Sequence, residues 1–273
     1  MHYFKHLFLC FFFVFMGLEA HSQRSFELNL WPQGPRVKSS DATDTAKVYV
    51  FQPAKPNGRA ILICPGGGYG MLAMGKEGTD WAPFFNNMGI TAVVLKYRMP
   101  RGKKEVPIGD AEEAMKLIRR NARNWSLNPN DVGIMGFSAG GHLASTIATH
   151  SKGEAKPNFQ ILFYPVITMM PGYTHQGSHD NLLGRGSHKK DERDYSNDMQ
   201  VTRVTPRAWI ALSDDDHVVV PANGVNYYTE LYRHDVPASL HVYPSGGHGW
   251  GILPGFRFHN QMMLELESWL RSF

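Results

Sequence analysis

The chain alternates short, almost continuously apolar runs with longer segments whose apolar positions recur every three or four residues. The runs are Arg59–Ile63, Ile90–Tyr97, Asp131–Met135, Gln160–Tyr164, Ala208–Leu212 and Ser239–Tyr243. A strand buried on both faces has no polar side to alternate with, so such runs read as strands of a parallel sheet. Between them the pattern changes period. Ala111, Ala114, Met115, Leu117 and Ile118 fall at helical spacing and predict a helix over Asp110–Trp125. Ala139–His150, Asn223–His234 and Asn260–Leu270 read the same way. Strand alternating with helix predicts an α/β fold, with a mostly parallel central sheet and helices on both faces. No internal repeat and no linker divides the chain, so one domain is expected over residues 23–273.

One stretch departs from the alternation. Residues 169–202 are polar, carry glycines and are rich in His and Asp. A plain connection needs fewer residues, and an insertion of this kind in an α/β sheet usually covers the ligand site. Tyr173, Leu182, Leu183 and Tyr195 give it apolar anchors, so we expect an ordered cap or pocket wall.

The N-terminus follows a different logic. Lys5 and His6 precede an apolar run, Leu7–Leu18, and Ala20-His21-Ser22 then places small residues two apart. This is the pattern of a secretory signal peptide cleaved after Ser22, so residues 1–22 are set apart from the fold. The apolar run is well short of the roughly 20 residues that span a bilayer, so no stable membrane insertion is expected after cleavage. The mature protein is expected to be secreted or periplasmic. Cys10 lies in the signal segment, which leaves Cys64 alone and excludes an intrachain disulfide in the mature chain. Cys64 ends an apolar run and reads as a small core residue.

Composition narrows the function. Apolar residues make up 42 % of the chain and charged residues 19 %, which suits a globular enzyme. The net charge of +4 is mild, and the densest basic run, Arg101-Gly102-Lys103-Lys104, is short. No recognition motif accompanies it, so nucleic acid is not an expected partner. The histidines and aspartates of 175–191 lack the paired spacing of metal ligands, and no metal or cofactor is expected.

Gly136-Phe137-Ser138-Ala139-Gly140 stands between a predicted strand and a predicted helix. That context turns a common pentapeptide into a nucleophile elbow, with Ser138 on a tight turn that flanking glycines permit. A serine hydroxyl attacks well only when a base takes its proton. His248, in Ser245-Gly246-Gly247-His248-Gly249-Trp250, follows the last predicted strand and precedes the last helix. His142 is nearer to Ser138 in sequence, but on the same helix start it is expected to point away or pack. The acid is expected between them, in Asp214-Asp215-Asp216 after the strand at Ala208. Asp216 is preferred and Asp215 is the alternative; the others suit caps or turns. All three groups then lie at the strand ends where ligands bind in open α/β sheets. Cys64-Pro65-Gly66-Gly67-Gly68-Tyr69 places side-chain-free backbone after an early strand. Gly67 and Gly68, with Ala139, are the candidates for an oxyanion hole. The glycines match neither a Walker loop nor a dinucleotide fingerprint. Tyr69 and Trp250, beside these elements, either stack on a substrate ring or pack the loops.

Together, Pro65-Gly-Gly-Gly-Tyr69, Gly136-Phe-Ser-Ala-Gly-Gly141, the aspartates before Val218-Val219 and Gly246-Gly-His248-Gly-Trp250 resemble secreted α/β-hydrolase esterases of the acetylxylan esterase-like kind. These are related to hormone-sensitive-lipase-like and feruloyl-esterase-like hydrolases. The resemblance runs from about Trp31 to the C-terminus. It implies Ser138, Asp216 and His248 as a triad, and removal of acyl groups, often acetyl, from plant-polysaccharide sugars. The lipase relatives carry histidine before the glycines, where this chain has Pro65. A polar cap also suits a carbohydrate ester better than a lipid. Two other readings stay open: an exported exopeptidase with Arg185 or Asp180 as a clamp, and an inactive carbohydrate-binding relative.

Overall fold

A computed structural model describes residues 23–273; the predicted signal segment lies outside them. Eight strands form one sheet: β1 (Arg24–Asn29), β2 (Lys47–Gln52), β3 (Ala60–Cys64), β4 (Thr91–Lys96), β5 (Val132–Phe137), β6 (Phe159–Phe163), β7 (Arg207–Ser213) and β8 (Ala238–Tyr243). Their order is β1-β2-β4-β3-β5-β6-β7-β8. From β4 to β8 all pairings are parallel, while β1 and β2 add an antiparallel edge. The longer helices are α2 (Glu105–Arg120), α3 (Ser138–His150), α6 (Ala222–Arg233) and α7 (His259–Leu270); α1 (Ala82–Asn87) is short.

Alternation along each strand sorts the core into two layers. Ala60, Leu62 and Cys64 of β3 belong to the layer covered by α2, α3 and α6, which also holds Met115, Leu143, Ile147 and Leu231. Ile61 and Ile63 face the opposite layer, with Phe85 of α1 and Met262 and Leu266 of α7. Burial pushes the Cys64 thiol well above its ordinary range, which keeps it an inert core group.

The six predicted strands and four predicted helices are present, with shifted ends. Helix α2 begins five residues before the predicted Asp110, because Pro107 is tolerated in a first turn whose N–H groups have no helical partner. It stops at Arg120 instead of Trp125, where Asn121 caps it by donating Nδ2–H to the Leu117 carbonyl. Residues 169–202, where the cap is expected, hold α4 (Gln176–Leu183), α5 (Lys189–Asp194) and a 3-10 turn at Asn197–Gln200. Leu182 is fully buried, and Leu183 and Tyr195 pack against the same core. Among the described residues no helix is long and apolar enough to cross a membrane.

Candidate active site

Strand β5 ends in Phe137 and the chain turns at once into α3, whose first residue is Ser138. Ser138 has φ 50°, the left-handed region that costs a non-glycine residue about 1–3 kcal/mol. The turn closes only because its flanks lack side chains. A Cβ on Gly136 would stand 2.1 Å from the Gly140 carbonyl oxygen, and one on Gly140 would stand 2.1 Å from that of Cys64.

The structure brings the three expected side chains together. Ser138 Oγ lies 2.9 Å from His248 Nε2, and His248 Nδ1 lies 2.7 Å from Asp216 Oδ2. A carboxylate only accepts, so Nδ1 carries the proton and Nε2 is left to accept from the serine hydroxyl. Asp216 is buried, and its Oδ1 accepts the N–H groups of Val218 and Val219, both at 2.9 Å. Those bonds fix the carboxylate before it meets the imidazole. Asp215 is exposed and does something else: its Oδ1 accepts the N–H of Gly247 and pins the histidine loop.

Among the described residues the N–H groups of Gly67, Gly68 and Ala139 donate to no protein acceptor. The Gly66 backbone lies against Ser138, since a Cβ there would come within 3.0 Å of the Ser138 Cβ. Ala139 also sits in the first turn of α3, at the positive end of the helix dipole. A hydroxyl that can pass its proton to an imidazole, beside uncommitted N–H groups, is the equipment of acyl transfer.

Tyr69 and Trp250 do not serve as stacking faces. Tyr69 is 1 % exposed, and its hydroxyl lies 2.9 Å from His142 Nδ1. Trp250 is 5 % exposed, stacks on Phe256 with centroids 4.1 Å apart, and donates Nε1–H to Ser213 Oγ. Both rings pack the loops from beneath and leave no free face for a sugar. Exposed apolar side chains beside the site are Met71, after the glycine loop, and Val218, after Asp216.

His142 packs, as expected, but it also joins elements. Its Nε2 faces the Tyr195 carbonyl of the cap, which only accepts, so Nε2 donates and Nδ1 accepts from Tyr69. Burial holds its pKa down at about 4, so the ring stays neutral.

Sequence reasoning missed Glu77 altogether. This carboxylate is 3 % exposed, and no cation pairs with it among the described residues. Its Oε2 accepts the Gly66 N–H at 3.0 Å and its Oε1 accepts the Tyr164 hydroxyl at 2.9 Å. The Tyr164 oxygen accepts the Gly251 N–H in turn, and its ring meets His248 edge to face at 4.8 Å. Next to it, Lys76 donates to the Gly249 carbonyl and accepts the Ile252 N–H. Residues 76–77 thus tie the glycine loop to the histidine loop. The sequence signal was slight: glycines at 75 and 78, of which Gly78 packs tightly on the Met74 carbonyl.

A family model described as the alpha/beta hydrolase fold matches residues 61–252. The chain belongs to the α/β-hydrolase family. It is 41 % identical to an acetylxylan esterase of Xylanibacter ruminicola over 94 % of this chain and 52 % of that protein. It is 33 % identical to endo-1,4-beta-xylanase B of Butyrivibrio fibrisolvens over 69 % of this chain and 32 % of that one. The chain therefore spans about half the length, or less, of these curated relatives. Among solved structures, the acetyl ester-xyloside bifunctional hydrolase of Caldicellulosiruptor lactoaceticus superposes with a TM-score of 0.82 at 29 % identity. That match covers 92 % of this chain and 96 % of that one.

Proposed function

We propose that this α/β-hydrolase is a serine esterase that removes short acyl groups, acetyl foremost, from plant-polysaccharide sugars such as xylan. The observation that carries the reading is the chain of hydrogen-bonding distances from Ser138 through His248 to Asp216, beside the free N–H groups of Gly67, Gly68 and Ala139. The likeness to an acetylxylan esterase and to an acetyl ester-xyloside hydrolase supports the substrate class.

In this mechanism Ser138 Oγ attacks the ester carbonyl as His248 Nε2 takes its proton. Asp216 holds the imidazole in the productive tautomer and stabilises the imidazolium. The oxyanion is met by the N–H groups of Gly67, Gly68 and Ala139. His248 then gives its proton to the departing sugar oxygen, leaving an acetyl-serine. Water, deprotonated by His248, attacks that ester and releases acetate and Ser138. A polymeric substrate suits an exported enzyme, and we propose that residues 1–22 direct export.

The exopeptidase alternative finds its two candidate clamp residues, Arg185 and Asp180, facing each other at 3.7 Å. The Arg185 side chain is 92 % exposed, and Asp180 is engaged by His179 and Gln176. The direct test is acetate release from acetylated xylan by wild type and by Ser138→Ala. We expect release by the first and none by the second. No release by wild type from xylan or short aryl esters sinks the esterase reading; equal release by both sinks the triad.

A further inference from the structure

Residues 169–202 place a polar group with incomplete bonding beside the glycine loop. His175 caps the N-terminus of α4, and its Nδ1 accepts the Ser178 N–H at 3.3 Å and lies 2.8 Å from the Ser178 hydroxyl oxygen. An accepting Nδ1 on a neutral ring puts the proton on Nε2. Among the described residues Nε2 has no hydrogen-bond partner. The ring carbon bonded to it, Cε1, stands 3.8 Å from where a Cβ on Gly68 would be. Apart from Gly68's own chain neighbours, no other atom of the described residues comes within 4 Å of that point, so the ring edge is the group that borders the glycine loop there.

Neighbouring cap groups are occupied. His179 faces Asp180 through Nδ1 and Glu192 through Nε2. Asn181 donates to the Gly68 carbonyl at 2.8 Å and holds α4 against the glycine loop. The Tyr173 hydroxyl accepts from Asn226 Nδ2. Burial and the nearby His248 lower the His175 pKa below its ordinary 6.5, which keeps the ring a neutral donor at neutral pH.

We propose that His175 contacts the substrate, its Nε2–H donating to a sugar hydroxyl that neighbours the esterified oxygen. The proposal rests on the esterase reading above. With the ester carbonyl drawn to Gly67, Gly68 and Ala139, the sugar lies toward the cap side of Gly68, within reach of this N–H. A donor committed to a hydroxyl disfavours acyl compounds that lack one, because an N–H that the bound compound shields from water is then left without a partner.

The test compares acetylated xylo-oligosaccharide with an aryl acetate, which has no neighbouring hydroxyl. His175→Asn keeps the helix cap, since Asn Oδ1 accepts the Ser178 N–H, but is too short to reach the sugar. His175→Ala loses both roles. The ratio of the two kcat/KM values, sugar ester over aryl ester, is expected to fall at least tenfold in both variants. Restoration of the ratio by asparagine marks a capping role and overturns the proposal. An equal fall on both esters marks a general loss of catalysis and also overturns it. A wild type inactive on both esters overturns the esterase reading and this inference with it, whereas an active wild type whose ratio survives both substitutions overturns this inference alone.

Discussion

The carboxylate of Glu77 accepts the backbone N–H of Gly66 at 3.0 Å. Its other oxygen accepts the Tyr164 hydroxyl, which in turn accepts the Gly251 N–H. One buried side chain therefore sets the spacing between the loop that carries Gly67 and Gly68 and the loop that carries His248. In Glu77→Gln one of the two acceptor positions becomes an NH2 that faces a donor. A buried donor left unsatisfied costs about 1–3 kcal/mol. Glu77 acts through the loops and does not touch substrate, so the expected signature is a kcat 10–100-fold lower with KM changed less than about threefold. Steady-state kinetics on an aryl acetate checks it. A variant that unfolds less than about 1 kcal/mol more easily and keeps wild-type kcat refutes the positioning role.

Two adjacent aspartates have separate tasks. Asp216 is buried and meets His248 Nδ1 at 2.7 Å, whereas exposed Asp215 meets the Gly247 N–H at 2.8 Å. Asp216→Asn offers an amide where a carboxylate fixed the tautomer, and kcat is expected to fall by about 10³–10⁴. Asp215→Asn retains an oxygen for Gly247, so a loss below about tenfold is expected. Parallel turnover assays on one ester compare them; a larger loss from the Asp215 variant reverses the assignment.

The elements that build the sheet were legible where physics left one reading. β3 to β7 are buried on both faces, so their runs are almost continuously apolar, whereas β8, at the sheet edge, is only partly buried and was legible from its apolar residues alone. β2 was passed over because it lies in the antiparallel edge and alternates instead, with Val48 and Val50 buried and Lys47 and Tyr49 turned partly outward. α1 has six residues, too few to show a helical period. Ser138, Asp216 and His248 were found from chain order and strand-end position, which a parallel sheet turns into proximity. Glu77 and His175 were not, because nothing in a sequence distinguishes a carboxylate buried between two loops from a solvated one. Tyr69 and Trp250 show the converse: adjacency to the site in sequence did not say which side of the loop a ring takes.

Glycines in this chain divide by what surrounds them. A Cβ on Gly140 would lie 2.1 Å from the Cys64 oxygen and 2.4 Å from that of Pro65, all backbone that cannot step aside. Gly109, within α2, has nothing within 4 Å. Gly140→Ala is expected to lower stability by about 3 kcal/mol or more through displaced backbone. Gly109→Ala should raise it by about 0.5–1 kcal/mol through helix propensity alone. Urea denaturation of the two variants reads both signs; a tolerated Gly140→Ala means the elbow is looser than its contacts state.

His142 gives the fold an acid sensitivity with a defined sign. Unfolded, its imidazole titrates near its ordinary 6.5; folded, burial holds it at about 4. Between those values the unfolded chain binds the proton and the folded chain does not. Stability contributed by the neutral ring is therefore complete above about pH 6.5 and is lost as the pH falls toward 4, where the folded form also protonates. From pH 7 to pH 5 the loss from this group is on the order of 2 kcal/mol. His142→Gln does not titrate, and its amide can donate to the Tyr195 carbonyl while its oxygen accepts from Tyr69. Carboxylates contribute equally to both proteins, so the difference between them isolates the histidine. Urea denaturation at pH 7 and pH 5 should show wild type losing about 2 kcal/mol more than the variant. Parallel losses would mean that His142 is hydrated in the folded protein, and that the link it makes between Tyr69 and the cap opens to water.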